Sequence, residues 1–216
     1  MPDLTFIQMV AIYAIPVIFA ITVHEAAHGL VASYFGDQTA RLSGRLTLNP
    51  IKHIDPVGTV ALPLVLLALG GIIFGWAKPV PVDWRNLRKP KQDMAWVAAA
   101  GPAANGIMML LWAGLAKLTL AYSDLFQGFA VPMLYMARAG VTINIVLMVL
   151  NLVPIPPLDG SRVVSSLLPP RMAIAYNRIE PYGFIILLVL LVTGVLGKVL
   201  WPVIDAVYHL VMSTLF

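Results

Sequence analysis

Two histidines and a glutamate in the sequence His24-Glu25-Ala26-Ala27-His28 have the types and spacing of a metal-dependent hydrolase. On a helix, His24 and His28 lie one turn apart on the same face, so both imidazoles can bind one metal ion. Glu25 then lies beside that ion as a general base. The pattern therefore predicts zinc-dependent hydrolysis, with a third protein ligand supplied from elsewhere in the chain.

The surroundings of these side chains are unusual for such a site. The run from about residue 6 to residue 35 is otherwise almost wholly apolar and long enough to cross a bilayer. A charged side chain at the bilayer centre costs roughly 2.5–3.5 kcal/mol on insertion scales, so several on one helix face need partners or a water-filled site. A hydrogen-bonded pair of core histidines without a metal is the alternative interpretation.

Composition narrows the class of protein. Of the 216 residues 60% are hydrophobic and 11% are charged, with a mean hydropathy of +0.87, which excludes an ordinary soluble domain. The chain has no cysteine, so a metal must be bound by His, Asp or Glu side chains. Most of the cations that give the net charge of +4 fall in short loops between apolar segments, so we expect no binding to nucleic acid.

The hydrophobic pattern predicts an all-α polytopic membrane protein that forms a single domain over residues 1–216. We expect about four transmembrane helices, at roughly 6–35, 95–116, 130–158 and 183–201. The apolar stretch 57–76 contains Pro63, Gly70, Gly71 and Gly75, and we interpret it as a re-entrant segment. Residues 41–48 alternate apolar and polar with period two, which predicts a small membrane-associated β element.

The distribution of cations predicts the orientation in the cell membrane. If 57–76 returns to the side it left, 11 of the 14 Lys and Arg residues share one face, and by the positive-inside rule that face is cytoplasmic. Because the N-terminus lacks the basic region of a signal peptide, the first apolar run is expected to be retained as a transmembrane helix. The N-terminus is then expected to lie outside. The eleven residues are Arg41, Arg45, Lys52, Lys78, Arg85, Arg88, Lys89, Lys91, Arg162, Arg171 and Arg178.

Asp159 is the carboxylate best placed to complete a metal site. Most other acids lie in charged loops, whereas Asp159 follows an apolar helix that Pro154, Pro156 and Pro157 must unwind. Broken helices at membrane depth are tolerated where they line a protein cavity, so Asp159 can face inward. A second histidine and carboxylate pair, Asp205 and His209, is better explained as a surface ion pair or an interfacial anchor on a helix.

Three segments in this order resemble the site-2 protease family of intramembrane zinc metalloproteases. The third is long and specific, whereas the second alone would be weak, because small residues in a membrane helix usually serve close packing. The absence of room for a PDZ or CBS domain makes the chain similar to the compact branch of that family. The segments are His24-Glu25-Ala26-Ala27-His28, Gly101-Pro102-Ala103-Ala104-Asn105 and Asn151-Leu152-Val153-Pro154-Ile155-Pro156-Pro157-Leu158-Asp159-Gly160.

The resemblance implies roles for individual residues. His24, His28 and Asp159 match the ligands of one Zn²⁺ per chain, and Glu25 matches the catalytic glutamate. Asn151 and Asn105 are expected to contact the substrate, with Asn151 positioning it or stabilising the oxyanion. The edge of segment 41–48 is expected to bind an extended substrate by strand addition. His53 is a candidate for orienting a ligand or gating the site, and an interfacial histidine is an equal alternative.

We therefore expect a membrane-embedded zinc endopeptidase that cuts within or near transmembrane segments of other proteins, as in regulated intramembrane proteolysis. Its expected partners are the lipid bilayer, a transmembrane protein substrate and a substrate-presenting or regulatory membrane protein. A polytopic cation transporter that uses the same ionisable cluster as a transit site is the alternative, since such residues also mark ion paths. A pseudoprotease that retains zinc as a binding protein is a third option.

Overall fold

The computed structural model describes residues 5–61 and 77–215, and the described residues are mainly helical. The helices are α1 (Phe6–Tyr34), α2 (Thr39–Leu42), α3 (Pro90–Ala121), α4 (Ser123–Phe126), α5 (Ala130–Asn151), α6 (Asp159–Leu167), α7 (Pro170–Asn177), α8 (Glu180–Val192) and α9 (Val195–Leu215). Short 3₁₀ turns occupy Pro50–His53, Trp84–Asn86 and Gln127–Phe129, and a π-helical turn occupies Pro56–Ala61. Four helices are long and apolar enough to cross a membrane: α1, α3, α5 and α9.

Helices α1, α3 and α5 pack against one another and form the core of the bundle. Small residues make this close packing feasible in a membrane, where helix association depends on backbone approach rather than on the hydrophobic effect. Ala20 on α1, Ala113 and Ala116 on α3 and Ala137 on α5 are fully buried. Helix α6 packs on α3 near the site, and α9 covers α5 from outside.

The C-terminal end of α1 is tied to the start of α3. Gly36 adopts φ 115°, a left-handed conformation that ends α1 as a glycine C-cap, with a hydrogen bond from the Asp37 N–H to Ala32 O (2.9 Å). The Arg88 N–H donates to Phe35 O at 3.0 Å. The end of α1 and the residues that precede α3 therefore lie on the same face of the bundle.

Asp37 holds this junction together. Its fully buried carboxylate accepts hydrogen bonds from the backbone N–H of Thr39 (3.0 Å), the backbone N–H of Asp83 (2.7 Å) and the side-chain amide of Asn86 (3.1 Å). Burial alone would raise the pKa of Asp37, but the hydrogen bonds from Thr39, Asn86 and Asp83 outweigh it and lower the pKa below its usual value. The loop before α3 is therefore pinned to α1 by an ionised carboxylate.

The predicted β element at 41–48 is wrong. Among the described residues no strand occurs, and Thr39–Leu42 is a single helical turn. Gly44 ends that turn at φ 65°, with bonds from the Gly44 N–H to Arg41 O (3.0 Å) and from the Arg45 N–H to Ala40 O (2.9 Å). The alternation of side chains does not make a strand here, because the Asp37 carboxylate and Gly44 cap a helical turn at its two ends.

Two other expectations concern membrane segments. Most of the predicted re-entrant segment 57–76 lies outside the described residues, but His53 and Lys78 on its two sides are joined by a 2.9 Å backbone hydrogen bond. The predicted span 183–201 is divided between α8 and α9, because Gly194 turns the chain at φ 74°. The predicted span 130–158 is helical only to Asn151, in keeping with the prolines that follow.

Replacing Asp37 with Asn should lower the free energy of unfolding by about 1–3 kcal/mol, since an amide cannot accept all of these hydrogen bonds and a buried N–H loses its partner. Thermal unfolding in detergent measures this, with Asp124→Asn at an exposed position of the short helix α4 as the control. Because the Asp37 pKa is lower in the folded chain than the unfolded value of about 3.9, the wild-type advantage should be full above that pH and be lost as the pH falls further. Equal stability of the two variants at neutral pH would contradict this role.

Candidate metal centre

The two histidines of α1 are oriented by groups on α3. The His24 Nδ1 lies 2.6 Å from the side-chain oxygen of Asn105, and the His28 Nδ1 lies 2.7 Å from the backbone oxygen of Val97. Since both oxygens are acceptors, each Nδ1 carries the hydrogen in the neutral ring. The Nε2 atoms of both rings are then unprotonated, and they face each other at 3.1 Å.

Asp159 meets the two imidazoles at the start of α6. Its Oδ2 lies 3.2 Å from His24 Nε2 and 3.3 Å from His28 Nε2. The same oxygen is buried and makes no hydrogen bond of acceptable geometry. Three atoms with lone pairs therefore converge in a triangle. Among the described residues, these three side chains are the one group that could bind a metal ion together.

The chemistry of this triangle fits a zinc ion. Three buried acceptors without protons repel one another, and a cation at their centre removes that repulsion. In a tetrahedral site with bonds of about 2.0 Å, neighbouring ligand atoms are about 3.3 Å apart, which agrees with the observed separations. Two imidazoles and one carboxylate are also a known ligand set for catalytic zinc.

The loop before Asp159 is held from two sides. The Tyr176 hydroxyl on α7 donates to Pro154 O at 2.8 Å, and Gly183 on α8 packs against the backbone of Pro156. A side chain at Gly183 would overlap the Pro156 carbonyl. The proline-rich chain thus reaches the first turn of α6 along a fixed path, and that path sets the position of the carboxylate.

Gly101 on α3 provides the space in which the imidazoles meet. A Cβ atom at this position would lie 2.5 Å from His28 Nε2 and 2.6 Å from His24 Nε2. These distances are shorter than real carbon contacts allow, so any side chain would occupy the space where the two rings converge. The close approach of the two imidazoles to α3 therefore explains why position 101, in the segment Gly101-Pro102-Ala103-Ala104-Asn105, is a glycine.

Glu25 lies beside the ligands and is held by a backbone group. Its Oε2 accepts a hydrogen bond from the Val80 N–H at 2.7 Å. Val80 belongs to residues 77–83, which have no regular secondary structure and which include Pro79 and Pro81. We refer to residues 77–83 as the strap.

The strap is anchored by the loop that follows α2. The guanidinium of Arg45 donates to Lys78 O (2.8 Å) and to Pro79 O (3.3 Å), and His53 O accepts from the Lys78 N–H. His53 itself is buried, with its Nε2 2.9 Å from Thr47 O. His53 therefore serves the loop that carries the strap, and its predicted role in gating or ligand orientation stays a prediction.

The two predicted substrate residues have different surroundings. Asn105 is fully buried and contacts His24, whereas Asn151 ends α5 and donates from its amide to Leu147 O at 3.0 Å. Their predicted substrate contacts stay predictions. Asp205 and His209 form a pair on α9 at 3.4 Å, with side chains that are 69% and 73% exposed.

Sequence reasoning missed Asn144 on α5, which is fully buried and bonds to Asn105 at 2.9 Å. The available signal was an amide within an apolar span, seven residues before Asn151 and so two turns along the same face. The Val80 N–H was also missed, because every residue other than proline carries such a donor and the sequence does not single one out.

Comparison with known proteins decides the family. The model of peptidase family M50 matches residues 122–194. A Bacillus subtilis protein named "Putative zinc metalloprotease YwhC" is 42% identical over 193 residues, which cover 89% of this chain and 85% of that protein. The chain belongs to peptidase family M50. The Mycolicibacterium smegmatis protein named "Putative zinc metalloprotease Rip2" is 35% identical, over 84% of this chain and 66% of that protein.

No solved structure matches the chain at a significant level. Membership of family M50, the site-2 protease family, and the apolar helices make this chain a multi-pass membrane zinc metallopeptidase. Its cofactor is Zn²⁺, and the group of His24, His28 and Asp159 could bind it.

Replacing Gly101 with Ala should strongly reduce zinc retention, because the added methyl group displaces one or both imidazoles. Alanine has the higher helix propensity by about 0.8–1.0 kcal/mol, so a loss of zinc cannot be ascribed to a weaker helix. Gly114→Ala on the same helix is the control, since a Cβ there meets nothing within 4 Å. Metal analysis of the purified variants measures the effect. Equal zinc content in both would contradict the inference that Gly101 provides the space in which the imidazoles meet.

Proposed function

We propose that the protein is an intramembrane endopeptidase that hydrolyses peptide bonds within or near transmembrane segments of other membrane proteins. The observation that carries this proposal is the triangle of unprotonated acceptors with a carboxylate beside it, on helices apolar enough to lie in a bilayer. Regulated intramembrane proteolysis is the process that such an enzyme would serve. The relatives named as zinc metalloproteases favour this function over a cation transporter.

The zinc ligands in this proposal are His24 Nε2, His28 Nε2 and Asp159 Oδ2. Bound there, the ion would supply a Lewis acid that polarises the scissile carbonyl and makes a water acidic near neutral pH. The imidazoles are held in the orientation that turns their Nε2 lone pairs toward the ion, because their Nδ1 hydrogens bond to Asn105 and Val97. Three protein ligands leave a fourth position for water and substrate.

Glu25 is the general base in this proposal. The Val80 N–H fixes one of its oxygens, and the other oxygen remains available to accept a proton from the attacking water. Glu25 then delivers that proton to the leaving amine as the C–N bond breaks. Water adds across the peptide bond, so one acid and one amine are released.

The substrate must present an extended peptide bond, because the bonds of a helix are shielded by its own turns. With no strand at 41–48, we place the substrate alongside the strap, which contacts Glu25 through the Val80 N–H and whose prolines favour an extended backbone. Asn151, at the inner end of α5, is retained as a candidate for positioning the substrate. A substrate-presenting or regulatory membrane protein is the further partner that we propose.

Replacing Glu25 with Gln should leave zinc bound and lower the turnover of a transmembrane test substrate by about 10²-fold or more, since the base is lost. The amide oxygen can still accept from the Val80 N–H, so the geometry is preserved. Glu180→Gln, at the other glutamate of the chain, is the matched control. Purified protein in detergent measures both, and wild-type cleavage by Glu25→Gln would sink the mechanism. Zinc-dependent cation flux without any cleavage would favour a transporter.

We propose further that the N-terminus is outside and that the site faces the cytoplasm of a multi-pass cell-membrane protein. The contacts that support this are the Arg88 to Phe35 hydrogen bond and the meeting of His28 with Asp159, which bring the ends of α1 and α5 to one face. On that basis 57–76 is proposed to be re-entrant. The cations then lie on the cytoplasmic side, as the positive-inside rule requires.

Single cysteines in this cysteine-free chain test the orientation. Intact cells treated with a membrane-impermeant thiol reagent should label Cys in place of Ser123, whereas Ser43→Cys, Lys89→Cys and Met172→Cys should react only after permeabilisation. All four positions are on the exposed surface, so lack of labelling reports sidedness rather than burial. Labelling at position 89 but not at 43 in intact cells would show that the intervening chain crosses the membrane.

A further inference from the structure

Two asparagines form a polar chain in the middle of the helix bundle. Asn105 on α3 and Asn144 on α5 are both fully buried. Asn105 Nδ2 donates to Asn144 Oδ1 at 2.9 Å, and Asn105 Oδ1 lies 2.6 Å from His24 Nδ1. Asn144 does not contact His24, so any effect on the metal ligand has to pass through Asn105.

The direction of this chain is set by backbone carbonyls. Asn144 Nδ2 donates to Gly140 O at 2.8 Å, and a carbonyl can only accept, so Asn144 Oδ1 must be the end that faces Asn105. The Asn105 amide must then turn its Nδ2 toward Asn144, where it also reaches Ala20 O at 3.3 Å. Its oxygen is left facing His24, and His24 must carry its hydrogen on Nδ1.

His24 needs this arrangement more than His28 does. The partner of His28 is the backbone oxygen of Val97, which can only accept. The partner of His24 is an amide, which presents an acceptor or a donor depending on how it is turned. With Asn105 turned the other way, a donor would face His24 Nδ1, the hydrogen would move to Nε2, and the lone pair would point away from the other two ligands.

We propose that Asn144 is a positioning residue for the zinc site, which together with the Ala20 carbonyl excludes the turned form of Asn105 and so fixes the tautomer of His24. Of the two hydrogen bonds from Asn105 Nδ2, the one to Asn144 is the shorter, at 2.9 Å against 3.3 Å to Ala20 O. This inference rests on the proposed ligand role of His24. An apolar residue of similar volume would avoid the cost of an amide in an apolar span, so packing alone does not account for asparagine. The amide is required because Asn105 needs an acceptor at that point.

Asn144→Leu removes that acceptor while keeping the volume. In the metal-free protein labelled with ¹⁵N-histidine, at an alkaline pH at which the histidine rings are neutral, the ring nitrogen shifts identify the tautomer. Only four histidines need assignment, with His24→Gln marking the signal of interest. Wild-type His24 should have its hydrogen on Nδ1, and the Leu variant should give a mixture. Zinc affinity should fall about 10-fold or more in the variant. Thr142→Val on the same helix is the control, because the Thr142 hydroxyl bonds only to Arg138 O.

Asn144→Asp separates positioning from a merely structural role. In its protonated form the buried carboxyl donates to Gly140 O, as the amide does, and offers its other oxygen to Asn105 Nδ2. It should therefore keep the wild-type tautomer and restore most of the zinc affinity lost in Asn144→Leu. If the Leu variant does not fold, Asn144→Ser, which is too short to reach Asn105, gives the same comparison. A wild-type tautomer and a zinc affinity within twofold of wild type in Asn144→Leu or Asn144→Ser would overturn the proposal. The tautomer is read without metal or substrate, so this result stands apart from whether the protein cleaves a peptide.

Discussion

The surrounding structure has to hold together three buried acceptors that repel one another: His24 Nε2, His28 Nε2 and Asp159 Oδ2. Without a cation these atoms would separate or take up protons, because unpaired lone pairs in an apolar interior are costly. Each imidazole is kept from turning by a bond on its far side, to Asn105 or to Val97. Helix α3 supplies none of these three acceptors, yet its register against α1 decides whether the two imidazoles can converge.

This arrangement requires α1 and α3 to approach closely. It also requires the loop before Asp159 to hold that carboxylate in a fixed position. Gly101 gives the imidazoles room on α3, and Gly183 gives the proline-rich loop room against α8. A ligand held on a helix is more precisely placed than one on a free loop. Asp159 gains that precision as the first residue of α6, which packs on α3.

The parts of the fold and site that the sequence predicted are those expressed in periodicity, hydropathy and spacing. The group of His24, His28 and Asp159 was predicted from the one helical turn between the two histidines and from the prolines that break the helix before Asp159. The β element at 41–48 failed because a period-two pattern is only a weak signal over eight residues, and the caps at Asp37 and Gly44 favoured a turn of helix. Asn144 was missed because its role depends on which residue of α3 lies opposite it, and that is a tertiary fact.

The strap shows most clearly what a sequence leaves hidden. The group that fixes Glu25 is a backbone N–H, and its neighbours Pro79 and Pro81 have none, so Val80 is the sole donor within this stretch of three residues. Arg45 and His53 hold the strap through its backbone as well. Because these partners are fixed before a substrate arrives, Glu25 in its proposed role as the base would need no reorganisation during the reaction, which is where preorganised polar groups contribute most to catalysis.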